Sequence, residues 1–536
     1  TREELRSSHI GAYSLFFRVF EMPQSGIMNV SVKNNFSHAN LSLRHKVCSL
    51  SRKGMVINMK TYETVIGLEV HVELATKTKI FCSCSTAFGG EPNTHCCPVC
   101  TGMPGTLPVL NKQVVEYAVA AGLALNCTIT KNCKFDRKNY FYPDLPKAYQ
   151  ISQLYLPIAR NGGIEIETEA GKKTIGIHEI HMEEDAGKLI HDEWEDCTLV
   201  DYNRCGVPLI EIVSEADMRS AEEVIAYLEK LKLILQYLGV SDCKMQEGSL
   251  RADINLSVRE AGAPEFGTRT EMKNMNSFKA ITRAIEGERK RQIELIKYGG
   301  QVIQETRRWD DNKDTSFAMR SKEDAQDYRY FPEPDLPPVE ISEEWLQTIQ
   351  DRQPELRDEK MLRYEKEFDI PAYDAAILTG NKYLADCFEK TVALCGQPKE
   401  VSNWLMVETM RLLKEQEMEA DQLTFTPEQL AKLITMIQEG KINRTVAKEV
   451  FEHVFKEKVD PERYVKEHGL GLVSDERVLR SAIQKVIDAN AQSIADYKSG
   501  KKKAMGFLVG QTMKEMKGKA DPGRVNQILE EILNTL

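Results

Sequence analysis

The first regular pattern in the chain is an alternation. In Ile66-Gly-Leu-Glu-Val-His-Val-Glu-Leu74 the apolar residues occupy even positions, which predicts a β-strand with one face toward a core. A second alternating run over 250–258 predicts another strand. Elsewhere the period lengthens to that of a helix, over 220–238 and over 276–298, the latter opened by Asn/Ser and followed by Gly299. The apolar run 118–125 reads as a buried helix, because about 18–20 such residues are needed to cross a bilayer. Phe331-Pro-Glu-Pro-Asp-Leu-Pro-Pro338 is dense in stop signals and predicts a domain exit. After it the chain reads as helical throughout. Thr426-Pro-Glu-Gln is an N-cap with Pro at the first helical position, Leu430, Leu433, Ile434 and Ile437 share one face, and Gly440 closes the helix. Residues 476–536 predict three more helices, separated at Lys498-Ser-Gly-Lys and at Gly518-Lys-Ala-Asp-Pro-Gly523. The expected fold class is α+β: a mixed α/β domain over 59–350, an all-α helical domain over 351–473 and a small helical tail over 474–536.

Charge alters this picture in two places. The balance over 536 residues is 71 − 81 = −10, which excludes a basic nucleic-acid coat but not a local patch. Residues 498–524 hold eight Lys/Arg against two Asp/Glu, a net of +6 suited to a phosphate backbone, although a solvated basic helix face gives the same count. Residues 1–58 carry eight against three, a net of +5, with broken periodicity and no apolar core of a secretory signal. An acid-poor leader bearing Ser and Arg is compatible with organellar import; the expectation is that Met59 or Met55 is the true start and that 1–58 is not a domain. Thirteen cysteines, an odd number with five clustered, favour reduced thiols and a cytoplasmic, metal-holding protein over a disulfide scaffold.

The candidate chemistry lies on the first strand and in the cysteine cluster. Glu69, His71 and Glu73 share a strand face at a spacing of about 7 Å, a set able to hold a hard cation such as Mg²⁺; a half-solvated strand with a polar outer face reads the same. His181-Met-Glu-Glu-Asp185 offers further oxygen ligands, or is a solvated turn. In the second strand Arg251, Asp253, Asn255 and Ser257 share a face, with Arg251 suited to a phosphate or carboxylate. Cys82-x-Cys84 and Cys97-x2-Cys100, separated by 12 residues rich in Gly, Pro and Asn, have the spacing of a closed four-thiolate zinc site, with His95 and Cys96 as spare ligands. Tyr140, Tyr142 and Tyr149 are placed either to stack on bases or to pack in a core. Glu169-Ala-Gly-Lys-Lys-Thr174 lacks the features of a P-loop, and His178-Glu-Ile-His181 lacks the spacing of a zinc-protease helix.

Five segments occur together in one order: Glu63-Thr-Val-Ile-Gly-Leu-Glu-Val-His-Val-Glu73, Lys138-Asn-Tyr-Phe-Tyr-Pro-Asp-Leu-Pro-Lys147, His181-Met-Glu-Glu-Asp-Ala-Gly187, Asp201-Tyr-Asn-Arg-Cys-Gly-Val-Pro-Leu-Ile-Glu211 and Gly267-Thr-Arg-Thr-Glu-Met-Lys-Asn274. On these the chain, from Met59 onward, closely resembles the GatB family, one of the component chains of aspartyl/glutamyl-tRNA(Asn/Gln) amidotransferases. One departure is Ala216-Asp217, where the family pattern has Pro-Asp. The resemblance implies a ligase that forms a carbon–nitrogen bond: ATP phosphorylates the side-chain carboxylate of Glu-tRNA(Gln) or Asp-tRNA(Asn), and ammonia then displaces the phosphate. It implies a cradle domain with catalytic Glu69, His71, Glu184 and Glu211, of which Glu69, His71 and Glu184 would bind Mg²⁺. Lys147 and Arg251 would take phosphate or carboxylate, and Cys82, Cys84, Cys97 and Cys100 structural Zn²⁺. It also implies a YqeY-like tail in which Lys501, Lys502, Lys503, Lys517, Lys519 and Arg524 contact tRNA. The implied partners are a glutaminase chain, GatA, a small chain, GatC, and misacylated tRNA, in the bacterial cytoplasm without membrane. The rival expectation is a non-catalytic, zinc-containing tRNA-binding scaffold of the same complex.

Overall fold

The computed structural model describes residues 61–192, 195–321, 328–472, 476–499, 501, 503–516 and 518–535, so the leader over 1–58 lies outside the described residues. A nine-stranded sheet organises the first half: β1 (Tyr62–Glu73), β2 (Thr128–Ile129), β3 (Ala159–Thr168), β4 (Gly171–Glu184), β5 (Pro208–Ser214), β6 (Leu250–Glu260), β7 (Thr270–Lys273), β8 (Glu305–Asp310) and β9 (Thr315–Ser321). Its order is β9-β8-β7-β6-β1-β5-β4-β3-β2, antiparallel except for the β7–β8 pair. β1 is central because its even positions, Ile66, Leu68, Val70 and Val72, are all buried, each burial contributing roughly 1.5–3 kcal/mol. They pack into one apolar cluster with helices α1 (Lys112–Ala124), α2 (Ala221–Leu238) and α3 (Phe278–Lys297). The odd positions therefore face away from the helices and line an open, polar side of the sheet.

Local chemistry explains where these elements start and stop. Ser220 Oγ accepts from Glu223 N at 3.2 Å to open α2, Glu222 and Glu223 occupy its first turn, and Gly239 closes it at φ 71°. Ser277 caps α3 in the same way. Ala216 and Asp217, the departure from the family pattern, occupy a turn after β5, where Asp217 Oδ2 accepts from Gly176 N at 2.9 Å. A smaller three-stranded sheet (Phe331–Pro332, Asp136–Asn139, Tyr149–Ser152) stands beside the end of β4.

Apolar packing divides the described residues into three clusters, over 66–349, 364–465 and 479–533. The second and third are built from helices alone, giving a mixed α/β region followed by helical ones. Pro427–Gln438 has Thr426 as its N-cap and Gly440 just past its end, as expected, and Gln429 completes a capping box. Among the described residues the tail differs from expectation in holding four helices rather than three, because Asn490 leaves helical geometry between Glu476–Ala489 and Ala491–Lys498 and its side chain donates to Val486 O at 2.7 Å. Among the described residues no helix is long and apolar enough to cross a membrane.

Candidate active site on the open face of the sheet

Strand register assembles the open face. His71 lies opposite Glu211 of β5 and Arg251 of β6, and Glu211 lies opposite His181 of β4. His71 Nε2 is 3.7 Å from Glu183 Oε1 and 3.9 Å from Glu211 Oε1, and one donor atom from each of the three falls within 4.8 Å of the others. Burial, and then the nearby Glu211 carboxylate, raises the pKa of Glu183, so the cluster carries more negative charge than its surroundings accommodate. Lys138 is within electrostatic reach. Burial works against its charged form, but Tyr330, Glu183, Tyr140 and Glu211 together outweigh this and raise its pKa.

Two further charged groups flank this cluster. Toward β7, carboxylate oxygens of Glu69, Asp253 and Glu271 lie within 4.8 Å of one another. Here the protein supplies its own cation: Lys273 pairs with Asp253 and, at 2.8 Å, with Glu271, while Asn255 Nδ2 donates to Glu69 at 2.9 Å. Burial and the Glu211 charge raise Glu69. On the other side, Arg251 Nη1 meets Asp185 Oδ2 at 2.9 Å and Glu73 Oε1 at 3.8 Å, with Arg204 Nε 3.4 Å from Asp185. Burial pushes Asp185 up, yet the two guanidiniums outweigh it and hold the carboxyl below its ordinary value. Burial and the Asp185 charge push Glu73 up to about 8. Arg251, expected to take an anionic ligand, is thus already engaged by Asp185.

Glu184 is not with His71. Adjacent residues of a strand point to opposite faces, so Glu183 enters the open side and Glu184 the helix side. There Glu184 pairs with Lys147 and accepts from Ile151 N at 2.9 Å, both side chains being almost wholly buried. Burial opposes the Lys147 charge, but Glu184 outweighs it and raises the pKa. The pair lines a cavity of about 210 Å³ together with Phe81, Cys82, Cys100 and Met103. Lys147, expected to bind phosphate or carboxylate, is therefore neutralised within the protein. Of the Mg²⁺ ligands expected together, Glu69 and His71 fall in neighbouring clusters and Glu184 in neither.

The thiols of Cys82, Cys84, Cys97 and Cys100 converge within 4.8 Å of one another. The buried Lys79 places Nζ 3.6 Å from Cys100 Sγ, a cation matched to a thiolate group. Cys96 turns its thiol to Asn93 O at 3.1 Å, and neither it nor His95 belongs to the convergent set. Tyr149 packs against the first apolar cluster, under Arg137 at 4.1 Å, whereas Tyr142 is exposed and Tyr140 half-buried. In the tail, Lys501 pairs with Asp496 at 2.9 Å, Lys519 donates to Gly469 O at 2.7 Å and Arg524 pairs with Glu476 at 3.1 Å. Lys503 is exposed; Lys502 and Lys517 lie outside the described residues.

Sequence reasoning offers the run 181–185 as oxygen ligands without singling out Glu183 or Asp185, and it gives no role to Lys138 or to the Glu271–Lys273 pair. For Glu183 the signal is partial: Ile180 and Met182 put 181 and 183 on the polar face, but Ile175 and Ile177 earlier in β4 are buried apolar residues of the opposite parity, before a shift of register.

Comparison with known proteins agrees with a mixed α/β region ahead of a helical tail. Residues 64–347 match the family model described as the GatB/GatE catalytic domain, and residues 386–533 match that described as the GatB domain. Among curated proteins, the B component of the aspartyl/glutamyl-tRNA(Asn/Gln) amidotransferase of Lachnoclostridium phytofermentans is 78% identical over 476 residues, covering 89% of this chain and 100% of that protein. The proteins of the same name from Agathobacter rectalis and Caldicellulosiruptor bescii are 71% and 60% identical, each again over 89% of this chain and its own full length. The chain belongs to the GatB family, the B components of aspartyl/glutamyl-tRNA(Asn/Gln) amidotransferases.

Proposed function

We propose that this chain is the component in which the side-chain carboxylate of misacylated Glu-tRNA(Gln), Asp-tRNA(Asn) or both is activated and amidated. The carboxylate is a poor electrophile until an oxygen attacks the γ-phosphorus of ATP and ADP departs; ammonia then attacks the acyl carbon, phosphate leaves and a proton is lost. The observation that carries this reading is the convergence of His71, Glu183 and Glu211 on the open sheet face. Two carboxylates and an imidazole, one carboxylate buried against the other, fit a hard divalent cation. His71, Glu183 and Glu211 would hold Mg²⁺, which supplies neutralisation of the ATP phosphates and the transferring group. Around them the chain's own residues set the field: Lys138 and Lys273 offer positive charge on either side of the cluster, and Arg251 and Arg204 keep Asp185 ionised.

The remaining parts fit a division of labour. The four cysteine thiols fit structural Zn²⁺. Ammonia would come from a glutaminase partner, GatA, held with GatC, and the basic tail would hold tRNA, in the cytoplasm. The test is amidation of Glu-tRNA(Gln) by the reconstituted complex, with ATP, Mg²⁺ and ammonium replacing glutamine. Native chain is expected to give Gln-tRNA, and Glu183→Ala none, with tRNA binding retained. Equal product from both would remove Glu183 from the site, and no product from either would support the scaffold.

A further inference from the structure

We propose that Tyr140, Tyr328 and Tyr330, with Lys138, form an adenine-nucleoside subsite beside the His71–Glu183–Glu211 cluster. The short strand Asp136–Asn139 separates two sets of side chains by its alternation. Arg137 goes to one side, stacking on Tyr149 and pairing with Glu333 at 2.7 Å. Lys138 goes to the other, with Nζ 5.0 Å from the ring centroid of Tyr328 and 5.8 Å from that of Tyr140. Tyr140 meets Tyr328 edge to face at 5.9 Å, and Tyr328 meets Tyr330 at 6.1 Å, both at 74°.

This row is not core. Tyr149 packs against the first apolar cluster, but none of the three tyrosines belongs to any apolar cluster of the described residues. Each is half-buried, and none of their hydroxyls has a hydrogen-bond partner among the described residues, where tyrosines built into a core normally find one. Glu183 and Glu211 lie within electrostatic reach of both Lys138 and Tyr330, which sets the row against the reacting centre. The next residues along the chain after Tyr140, Phe141 and Tyr142, are 74% and 58% exposed.

Aromatic rings beside a cation suit a nucleobase attached to a charged backbone. Unbonded hydroxyls, each donor and acceptor, match the amino donor and ring-nitrogen acceptors of adenine. This deepens the proposed function and rests on it, because that reaction brings two adenosines to the site: that of ATP and the 3′-terminal one of tRNA.

The test uses the reconstituted complex with ammonium as nitrogen donor, measuring KM for ATP and for Glu-tRNA(Gln) in Tyr328→Leu, Tyr140→Leu and Tyr328→Phe. Loss of stacking is expected to raise one of the two KM values about tenfold in the Leu variants, with Tyr328→Phe within about threefold of native. The substrate whose KM moves identifies which adenosine is held. Both values unchanged at native thermal stability, or a loss of kcat and Tm with KM unmoved, would overturn the subsite. The native complex gives a second readout independent of folding. Photolabelling with 8-azido-ATP, or with tRNA ending in 8-azidoadenosine, is expected to mark the peptide bearing Tyr328 and Tyr330, and labelling elsewhere by both overturns the proposal. A native complex that labels there yet makes no Gln-tRNA would sink the amidation reading and leave the subsite standing.

Discussion

Glu183 and Glu184 are chain neighbours with opposite fates. On the open face Glu183 meets another carboxylate and an imidazole, and burial raises its pKa. On the helix face Glu184 meets a buried lysine and a backbone donor. One side of the sheet is left electrostatically unfinished, and the other is balanced within the protein. Unfinished charge calls for a ligand, whereas matched charge serves the fold. The same distinction separates the His71 cluster from its neighbour around Glu69, where Lys273 already supplies the countercharge.

The sharpest way to break this comparison is to neutralise each glutamate in turn. Glu183→Gln is expected to lower the amidation rate by roughly 10³-fold or more, since the charge at the reacting centre is what the site provides. In metal-free buffer the same change is expected to raise Tm, because the Glu183–Glu211 repulsion is relieved. A variant with native turnover would remove Glu183 from the chemistry.

Glu184→Gln should act the other way. It leaves the Lys147 ammonium buried without its partner, at an expected cost of about 3–5 kcal/mol in urea unfolding. Replacing both, as Lys147→Met with Glu184→Leu, is expected to restore most of that stability. Equal stability of Glu184→Gln and native protein would show that the helix-side pair is not matched charge but an accessible site.

How much of this is legible depends on how far apart the partners lie in sequence. β1 and β6 announce themselves by alternation, α2 and α3 by their serine caps, and the four-thiol group by its spacing, because each of those signals is local. Glu184 enters as what the family resemblance implies, and the run after Met182 by itself reads equally well as a turn, which has no faces. Continued as a strand from Ile180 and Met182, it places Glu183 on the polar side. Tyr328 and Tyr330 carry no signal, since only the fold brings them to Tyr140 across almost two hundred positions. Arg251 does partner an anion, as its residue type suggests, but the anion is Asp185 of the same chain.

A smaller effect should separate the open face from the rest of the sheet by pH. Glu73 is pushed up to about 8 in the folded protein, from an ordinary 4.5, by burial and by Asp185, with Arg251 and Arg204 opposing. The folded state therefore keeps a proton that the unfolded chain releases. This contribution to stability is full below about pH 4.5 and is lost as pH rises toward about 8. Glu73→Gln keeps a neutral, hydrogen-bonding side chain at every pH, so the fall in Tm between those limits should shrink by roughly 2–4 °C. An unaltered slope would mean that Glu73 does not hold the proton.

The smallest expected effect extends the distinction between matched and unmatched charge to the tail. Lys501, Lys519 and Arg524 already have acceptors within the protein. Lys503 has no partner among the described residues, and it stands at the first position of the helix Lys503–Glu515, where the helix dipole disfavours a cation. A positive charge kept at a place that disfavours it is best placed for a phosphate from outside. Lys503→Ala is therefore expected to weaken tRNA binding a few-fold and to reduce the slope of log K against log salt by about 0.7–0.9, the loss of one phosphate contact. Arg524→Ala, whose guanidinium is held by Glu476, should change that slope by less. If the paired arginine proves the stronger contact, internal pairing is no guide to which charges this protein offers to RNA, and the reasoning applied to Glu183 and Glu184 would not transfer beyond the sheet.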